Sequence, residues 1–476
     1  MGVIGLGSYF FAGKGVGGAK GDKSIAVLPV KPIQAANRDD IYEIGIADSL
    51  INKLSSMRGL VLRPLSATRK YVDIDQDPLA AGKEQKVDYV LASNYQLADG
   101  RIRVTAQLLN VASGEIEETY KSEIDAADVF AMQDTIASEV GKMVSARFAT
   151  ASSRPDPRRG TGNEEAYRLF LRGMNLIDKR EPADALKAVE IFQQAIRLDP
   201  NYAQAWAGKA HAYRIIAGRG RGGDPHEGYQ KSLEAINEAL ALDENLADAH
   251  SALCDVKMSY EWEVEGAERE CRRAIELNPN SSRARQIYSR FLMACGRFDE
   301  SIAEIKTAID LEPTSLYSQR VYGSGLYFAR RYPEAVAQLR RVIAMDPSFT
   351  LTYPFLFQSL EMQGNYREAF EWFMKYQALQ KADAETLQGY EAAYQSSDWH
   401  GVLLEWAKRF EATNLVYYHG AVLNAKAGNK DRGFEYLEKS YQRRESWIRF
   451  LKVDPGIDSL RDDPRYIDLV RRVESK

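Results

Sequence analysis

Arginines and tyrosines at helical spacing are the residues of this chain best suited to recognition chemistry. Arg283, Gln286 and Arg290 stand three and four apart, and Tyr317, Arg320 and Tyr327 stand three and seven apart further on. Residues spaced in this way share one face of a helix. Guanidinium forks recognise carboxylates at two points and phenol rings add flat stacking faces, so such a stripe suits an acidic, extended peptide. His211 and Arg214 continue it towards the N-terminus, with Gln204, Phe170 and Tyr167 beyond them. The competing reading makes these ordinary solvated helix residues. Arg219 and Arg221, in the insertion GRGRGGDPH (218–226), would either extend the basic rim or belong to a loop without a role.

Covalent and metal chemistry find less support. No GxSxG, HExxH or Cys–His pairing stands out, and the acid pairs Asp39-Asp40 and Asp462-Asp463 sit in turn-like, solvated contexts suited to capping. The five histidines lack metal-ligand spacing, and the three cysteines form no CxxC. A non-enzyme without cofactor or metal is therefore expected. A GxGxxG at Gly13, Gly15 and Gly18 leads into a strand, whereas a phosphate loop follows a strand and opens a helix. The formal net charge of −4 over 476 residues argues against a dedicated nucleic-acid binder.

The elements that must position the stripe repeat along the chain. AIRLDP (195–200), ALALDE (239–244), AIELNP (274–279), AIDLEP (308–313) and VIAMDP (342–347) are variants of one segment. Pro279, Pro313 and Pro347 recur every 34 residues. That is the period of tetratricopeptide (TPR) repeats, in which Pro ends the second helix of each pair. Trp206, Ala210 and Tyr213 resemble the TPR W-x2-L-G-x2-Y pattern, and Gly323 takes its glycine position. Small residues where the paired helices cross are Ser232 and Ala239, Ala267 and Ala274, Ser301 and Ala308, and Ala335 with Val342. Units start near 166, 203, 248, 282, 316 and 350, with a degenerate one near 414. The recognition stripe then occupies the second, fifth, ninth and twelfth positions of each first helix, the concave side of such an array. The Lys/Asn carboxylate clamp of chaperone-binding TPRs is not reproduced.

Cys254 and Cys271 fall where two helices of one unit touch. They read as small core residues, with a disulfide between them open to an extracytoplasmic protein. Cys295 reads as a free thiol.

Upstream, residues 24–149 read as an α/β domain. Strands are expected at 24–30 (SIAVLPV) and 60–65, helices at 41–57, 78–85 and 129–148, and a hairpin of 89–96 and 101–109 about Asp99-Gly100. A turn at Ser113-Gly114 returns the chain as 115–123. Residues 1–23 form an apolar stub and Gly-rich linker, 150–163 a second linker, 164–449 the TPR array, and 450–476 a capping segment. The fold class is thus an α/β N-terminal domain followed by an all-α TPR solenoid.

SIAVLPV, IGIADSLINKLS, LVLRPLSATRKY, YVLASNYQLADGRIRVTAQLLNVASGE and DVFAMQDTIASEV together resemble the TolB-N-like domain that precedes TPRs in bacterial membrane-bound regulators. FLKVDPGIDSLRDDPRYIDLVRRV (450–473) is similar to the usual ending of those proteins. The resemblance implies the extracytoplasmic sensor or scaffold half of a regulator of the ToxR/CadC winged-helix type, whose output domain this sequence lacks. It makes GVIGLGSYFFAG (2–13) the stub of a membrane anchor at the bacterial inner membrane, with the rest on the periplasmic face. The alternative is a cytoplasmic or secreted TPR adaptor without an anchor. The expected partner is a protein or peptide, and nucleic acid is not expected to touch this chain.

Overall fold

The computed structural model describes residues 23–55, 57, 59–148, 160–219, 224–411 and 416–474. The apolar stub, the glycine loop, most of the second linker and Arg221 lie outside the described residues.

The first unit is a twisted sheet with helices on it. Strand β1 (Lys23–Val27) pairs in parallel with β3 (Leu60–Leu62) and β4 (Tyr89–Ala98), and the short β2 (Lys31–Pro32) pairs with β4. Antiparallel β5 (Arg101–Asn110) and β6 (Ile116–Asp125) complete the order β3-β1-β4-β5-β6. Asp99 and Gly100 make the β4–β5 turn with φ of 52° and 74°, as a two-residue hairpin loop with both centres left-handed requires. Ile102, Val104, Ala106 and Leu108 turn inward from β5. They pack with α1 (Asp40–Ser55) and α4 (Val129–Phe148), whose Ile46, Leu50, Leu54, Ile136 and Val140 are fully buried. The strand expected at 60–65 stops at Leu62. Pro64 favours an extended residue before it and starts the helical turn α2 (Leu65–Thr68). Asp77 caps α3 (Pro78–Glu84) by accepting from the Leu79 N–H.

The rest is helical. Six pairs follow one another in the described residues: α5 (Glu164–Asp178) with α6 (Pro182–Leu198), α7 (Ala203–Arg219) with α8 (Pro225–Leu242), and α9 (Ala247–Val256) with α10 (Val264–Leu277). Then come α11 (Ser282–Ala294) with α12 (Phe298–Leu311), α13 (Leu316–Phe328) with α14 (Tyr332–Met345), and α15 (Tyr353–Glu361) with α16 (Tyr366–Leu379). The kinked α17 (Ala384–Glu411) precedes α18 (Tyr417–Lys426) and α19 (Lys430–Gln442), and α20 (Pro464–Glu474) ends the chain.

Small residues set the helix spacing. Ser232, Ala239, Ala267, Ala274, Ser301, Ala308, Ala335 and Val342 are all at most 1% exposed. Where a hydroxyl replaces a methyl it finds a partner: Ser232 donates to the Ala210 carbonyl at 3.0 Å, and the Ser289 and Ser301 hydroxyls bond at 3.0 Å. Successive first helices pack on one another, α5 on α7, α7 on α9, α9 on α11 and α11 on α13, so they form the inner ring of the coil. Cys254 and Cys271 are disulfide-bonded with Cα atoms 5.2 Å apart, pinning α9 to α10.

Gly173 and Gly208 show how closely the first two pairs approach, since a Cβ on either would stand 2.6 Å from the Phe192 ring. Gly173→Ala is expected to lower stability by about 1–3 kcal/mol through overpacking. A shift of the urea unfolding midpoint checks this.

Candidate functional site

The residues read as a recognition stripe do lie on the inner helices, but the concave face they line is not an open groove. The chain's own segments enter it from both ends. From the N-terminal end comes the turn between α5 and α6. There Arg180, with φ of 58°, reaches the inner ring three and four pairs along. Its guanidinium donates to Gln286 Oε1 at 2.6 Å and lies 3.7 Å from the centre of the Tyr317 ring. Asp178 of the same turn accepts from Arg283 at 2.7 Å, and Arg69 of the α/β domain lies 3.4 Å from its other oxygen.

From the other end comes the segment after α19. Arg444 donates to the Tyr260 carbonyl at 3.2 Å and lies over Trp262, Ser446 shares a hydrogen bond with Tyr229, and Phe450 stacks on Phe328 at 5.0 Å. The stretch from Arg444 to Phe450, at the junction of the array and the expected capping segment, thus enters the coil.

Most stripe residues now have a place. His211 is 1% exposed, with Nε2 3.5 Å from the Ser251 hydroxyl. Burial, and after it the guanidiniums of Arg283, Arg214 and Arg180, hold its imidazole well below the usual range, so it is neutral. Arg214 bonds Asp255 in a buried pair, and Arg290 approaches the same carboxylate at 3.5 Å. Gln286 donates to the Ser318 hydroxyl at 2.7 Å. Arg320 lies against the Tyr317 and Phe355 rings. The Tyr327 hydroxyl donates to Gln358 at 3.2 Å, and burial, followed by nearby Asp454 and Glu361, pushes its phenol well up. Tyr167 leaves the stripe altogether. It packs on Ile41 and Ile44 of the α/β domain, and its hydroxyl donates to Asp48 at 2.8 Å. Phe170 is taken up by the Phe192 and Tyr202 rings. These are mostly packed and bonded residues, with Arg283 and Arg290 keeping part of their surface in water.

Two parts of the centre have no counterpart in the sequence reading. Asp255 holds the eighth position of its unit, where neighbouring units have Ala210, Ser289 and Gly323; an acid at a helix crossing was the available signal. Burial works against its ionisation, but Arg214 and Arg290 outweigh it and keep the carboxyl below its usual range. Arg180 and Asp178 come from a turn that no local pattern connects with residues a hundred positions away.

Tyr317 records the field of this centre. Burial alone would raise its phenol; Arg290, Arg180, Arg320 and Arg214 instead bring it down to about 7. Arg180, enclosed by the coil, is itself lowered to about 10 by burial.

Comparison with known proteins bears on the α/β domain first. Residues 21–139 match the model of the second domain of HilA/YgeH-like transcriptional regulators. The match falls on the stretch where the sequence suggests a TolB-N-like domain, and it carries the association with regulators but neither that name nor the membrane type. A Rhizobium meliloti (strain 1021) protein, named as an adenylate cyclase, is 25% identical over 184 residues, which take in 39% of this chain and 31% of that protein. The alignment thus spans less than a third of that relative's length. Among solved structures, Pseudomonas aeruginosa pilF is 17% identical with a TM-score of 0.35, over 45% of this chain and 93% of its own. YrrB, described as a TPR protein with an unusual peptide-binding site, is 20% identical with a TM-score of 0.26, over 40% and 90%. The human IFIT1 dimer with PPP-AAAA is 16% identical with a TM-score of 0.45, over 72% and 79%. These likenesses carry no statement about what this chain binds.

A phenol lowered to about 7 in the fold, against about 10 when unfolded, stabilises the fold only where it is ionised. Relative to Tyr317→Phe, the wild type is therefore expected to gain stability as pH rises from about 7 to about 10, and to lose that advantage below about 7. Paired thermal melts across this range check the sign.

Proposed function

We propose that this chain is a non-catalytic interaction and sensing module of a bacterial signalling or transcription-regulation protein, working at the extracytoplasmic face of the inner membrane. The observation that carries the reading is the docking of a regulator-type α/β domain onto a TPR coil. Tyr167 and Arg168 of the first pair bind Asp48 and Asp39 of that domain, and Gln85 of the domain reaches Thr314 between α12 and α13 at 3.4 Å. Events inside the coil are thereby mechanically tied to the domain that resembles a regulator's. The reading of the array as a protein- or peptide-binding scaffold follows from its helix-pair architecture.

The disulfide supports the compartment. Cys254 and Cys271 lie at bonding distance in a buried helix crossing, and such bonds persist in oxidising surroundings such as the periplasm. No described helix is long and apolar enough to cross a membrane, and the apolar stub that would form the anchor lies outside the described residues. In growing cells, Cys254 and Cys271 are expected to resist a thiol-alkylating reagent until a reductant is added. Immediate alkylation of both in denatured extracts would place the chain in the cytoplasm.

Deleting the coding sequence from its host tests the regulatory role. A reproducible change in the transcript profile is expected, and restoring the full chain reverses it. An unaltered profile overturns the regulatory reading and leaves the adaptor as the better description.

A further inference from the structure

The centre of the coil holds more positive charge than its own acids answer. Arg180, Arg214, Arg283, Arg290 and Arg320 converge there. Asp255 serves Arg214 and Arg290, and Asp178 is divided between Arg283 and Arg69. The remaining acid, Glu312, is lifted above the usual carboxylate range by burial and bonds Ser282. Four guanidiniums, those of Arg214, Arg290, Arg283 and Arg69, therefore share two carboxylates. Two of their donors, Arg214 Nε and Arg283 Nη1, are shut off from solvent and have no acceptor. Buried donors are nearly always satisfied, so an unfilled pair among surplus cations marks a missing acceptor. Tyr317 lies beside these guanidiniums, which lower its phenol against the effect of burial. Water still reaches Arg283 and Arg290, whose side chains keep 16% and 22% of their surface.

Two other charged clusters among the described residues are balanced. In the cleft between α19 and α20, Arg465 is met by Asp431 and Asp463, and Arg472 by Glu438 and Asp468. Beside α1 and α5, Arg168 is met by Asp39 and Glu164, and Arg38 by Glu43.

We propose that the centre of the coil binds a compact anion bearing two or more carboxylate or phosphate groups, held by Arg214, Arg283 and Arg290. This rests on the sensing-module reading and replaces its extended peptide with a small ligand. Arg180 on one side and residues 444–450 on the other interrupt the concave face, so an extended chain has no continuous track along it. Multiply charged oxyanions match guanidinium forks in geometry and in charge.

The experiment uses the whole chain, with citrate as the carboxylate probe and inorganic phosphate as the phosphate probe, titrated calorimetrically at constant ionic strength in chloride. Saturable binding of at least one is expected, and the preferred probe names the ligand's chemistry. Near pH 7.5 Tyr317 is largely phenolate, and a bound anion opposes that charge, so its near-ultraviolet phenolate absorbance should fall on binding. Tyr317→Phe should abolish the absorbance change and keep the calorimetric signal. Arg283→Gln should weaken binding about tenfold or more, the loss of one charge-assisted hydrogen bond. Where Arg283→Gln does not fold, Arg290→Lys decides, since it keeps the charge and loses the fork: unchanged affinity puts the anion elsewhere and overturns the proposal. Absence of saturable binding by both probes overturns it too, as does tighter binding of a short polyglutamate peptide than of either. Because the regulatory reading is tested by gene deletion, its failure and this one are read separately.

Discussion

A guanidinium taken out of water must find a carboxylate, a carbonyl or an aromatic face, or the fold loses several kcal/mol. This coil buries a group of them, and Asp255 is the carboxylate around which they are arranged. Arg214 reaches it from the pair before its own and Arg290 from the pair after. One side chain thereby joins three consecutive units. The position it occupies normally holds a small residue, because two helices cross there. An acid fits because Ala252, Ala267 and Ala274 around the same crossing are small and fully buried. The disulfide from the adjacent Cys254 to Cys271 fixes α9 against α10, so the carboxylate is held on a crossing that cannot easily open.

That arrangement changes what kind of object the array is. Repeat proteins are ordinarily one-dimensional, each unit touching only its neighbours. Here the bond from Arg180 to Gln286 joins residues 106 apart, and Arg444 reaches back 184 residues to Tyr260. These closures bring together residues far apart in sequence, while small buried residues at the crossings let the paired helices approach closely. Long-range polar bonds then couple the units, so a change at the centre is felt at both ends. The α/β domain is part of this closure, being bound to the first pair and to the loop before α13.

Local signals and long-range ones differ sharply in how far the sequence exposes them. Asp99-Gly100 specifies its hairpin alone, because two adjacent residues must adopt left-handed backbone. Proline and small residues recurring every 34 positions specify the helix pairs and hence which positions face inward. Pro64 carried an equally local signal, a helix start, that an apolar run reading as strand obscured. The site is legible only in half. Its arginines are visible as a stripe, since helical spacing puts them on one face. Their partners are not, because Asp178, Arg180 and residues 444–450 reach the stripe through the pitch of the whole superhelix. Tyr167 shows the limit well: its register is right, yet the first pair of an array has no preceding pair, and the α/β domain takes that place.

Asp178 is where the two halves of the molecule share a charge. One of its oxygens faces Arg283 of the inner ring at 2.7 Å and the other faces Arg69 of the α/β domain at 3.4 Å. A carboxylate between two guanidiniums is held by both, and what one partner gives up the other can take. An anion that fills the spare Arg283 Nη1 shares that guanidinium with Asp178, which is held through Nη2. Asp178, held less firmly by Arg283, is then drawn more towards Arg69, on the turn that follows α2. An anion bound as proposed would by this route alter how tightly the α/β domain sits on the first helix pair. The coupling is bounded by the difference between the two ion pairs, a scale on the order of 1–3 kcal/mol for allosteric linkage. That magnitude suffices to shift a two-state docking equilibrium severalfold and is small enough to be reversed when the anion leaves.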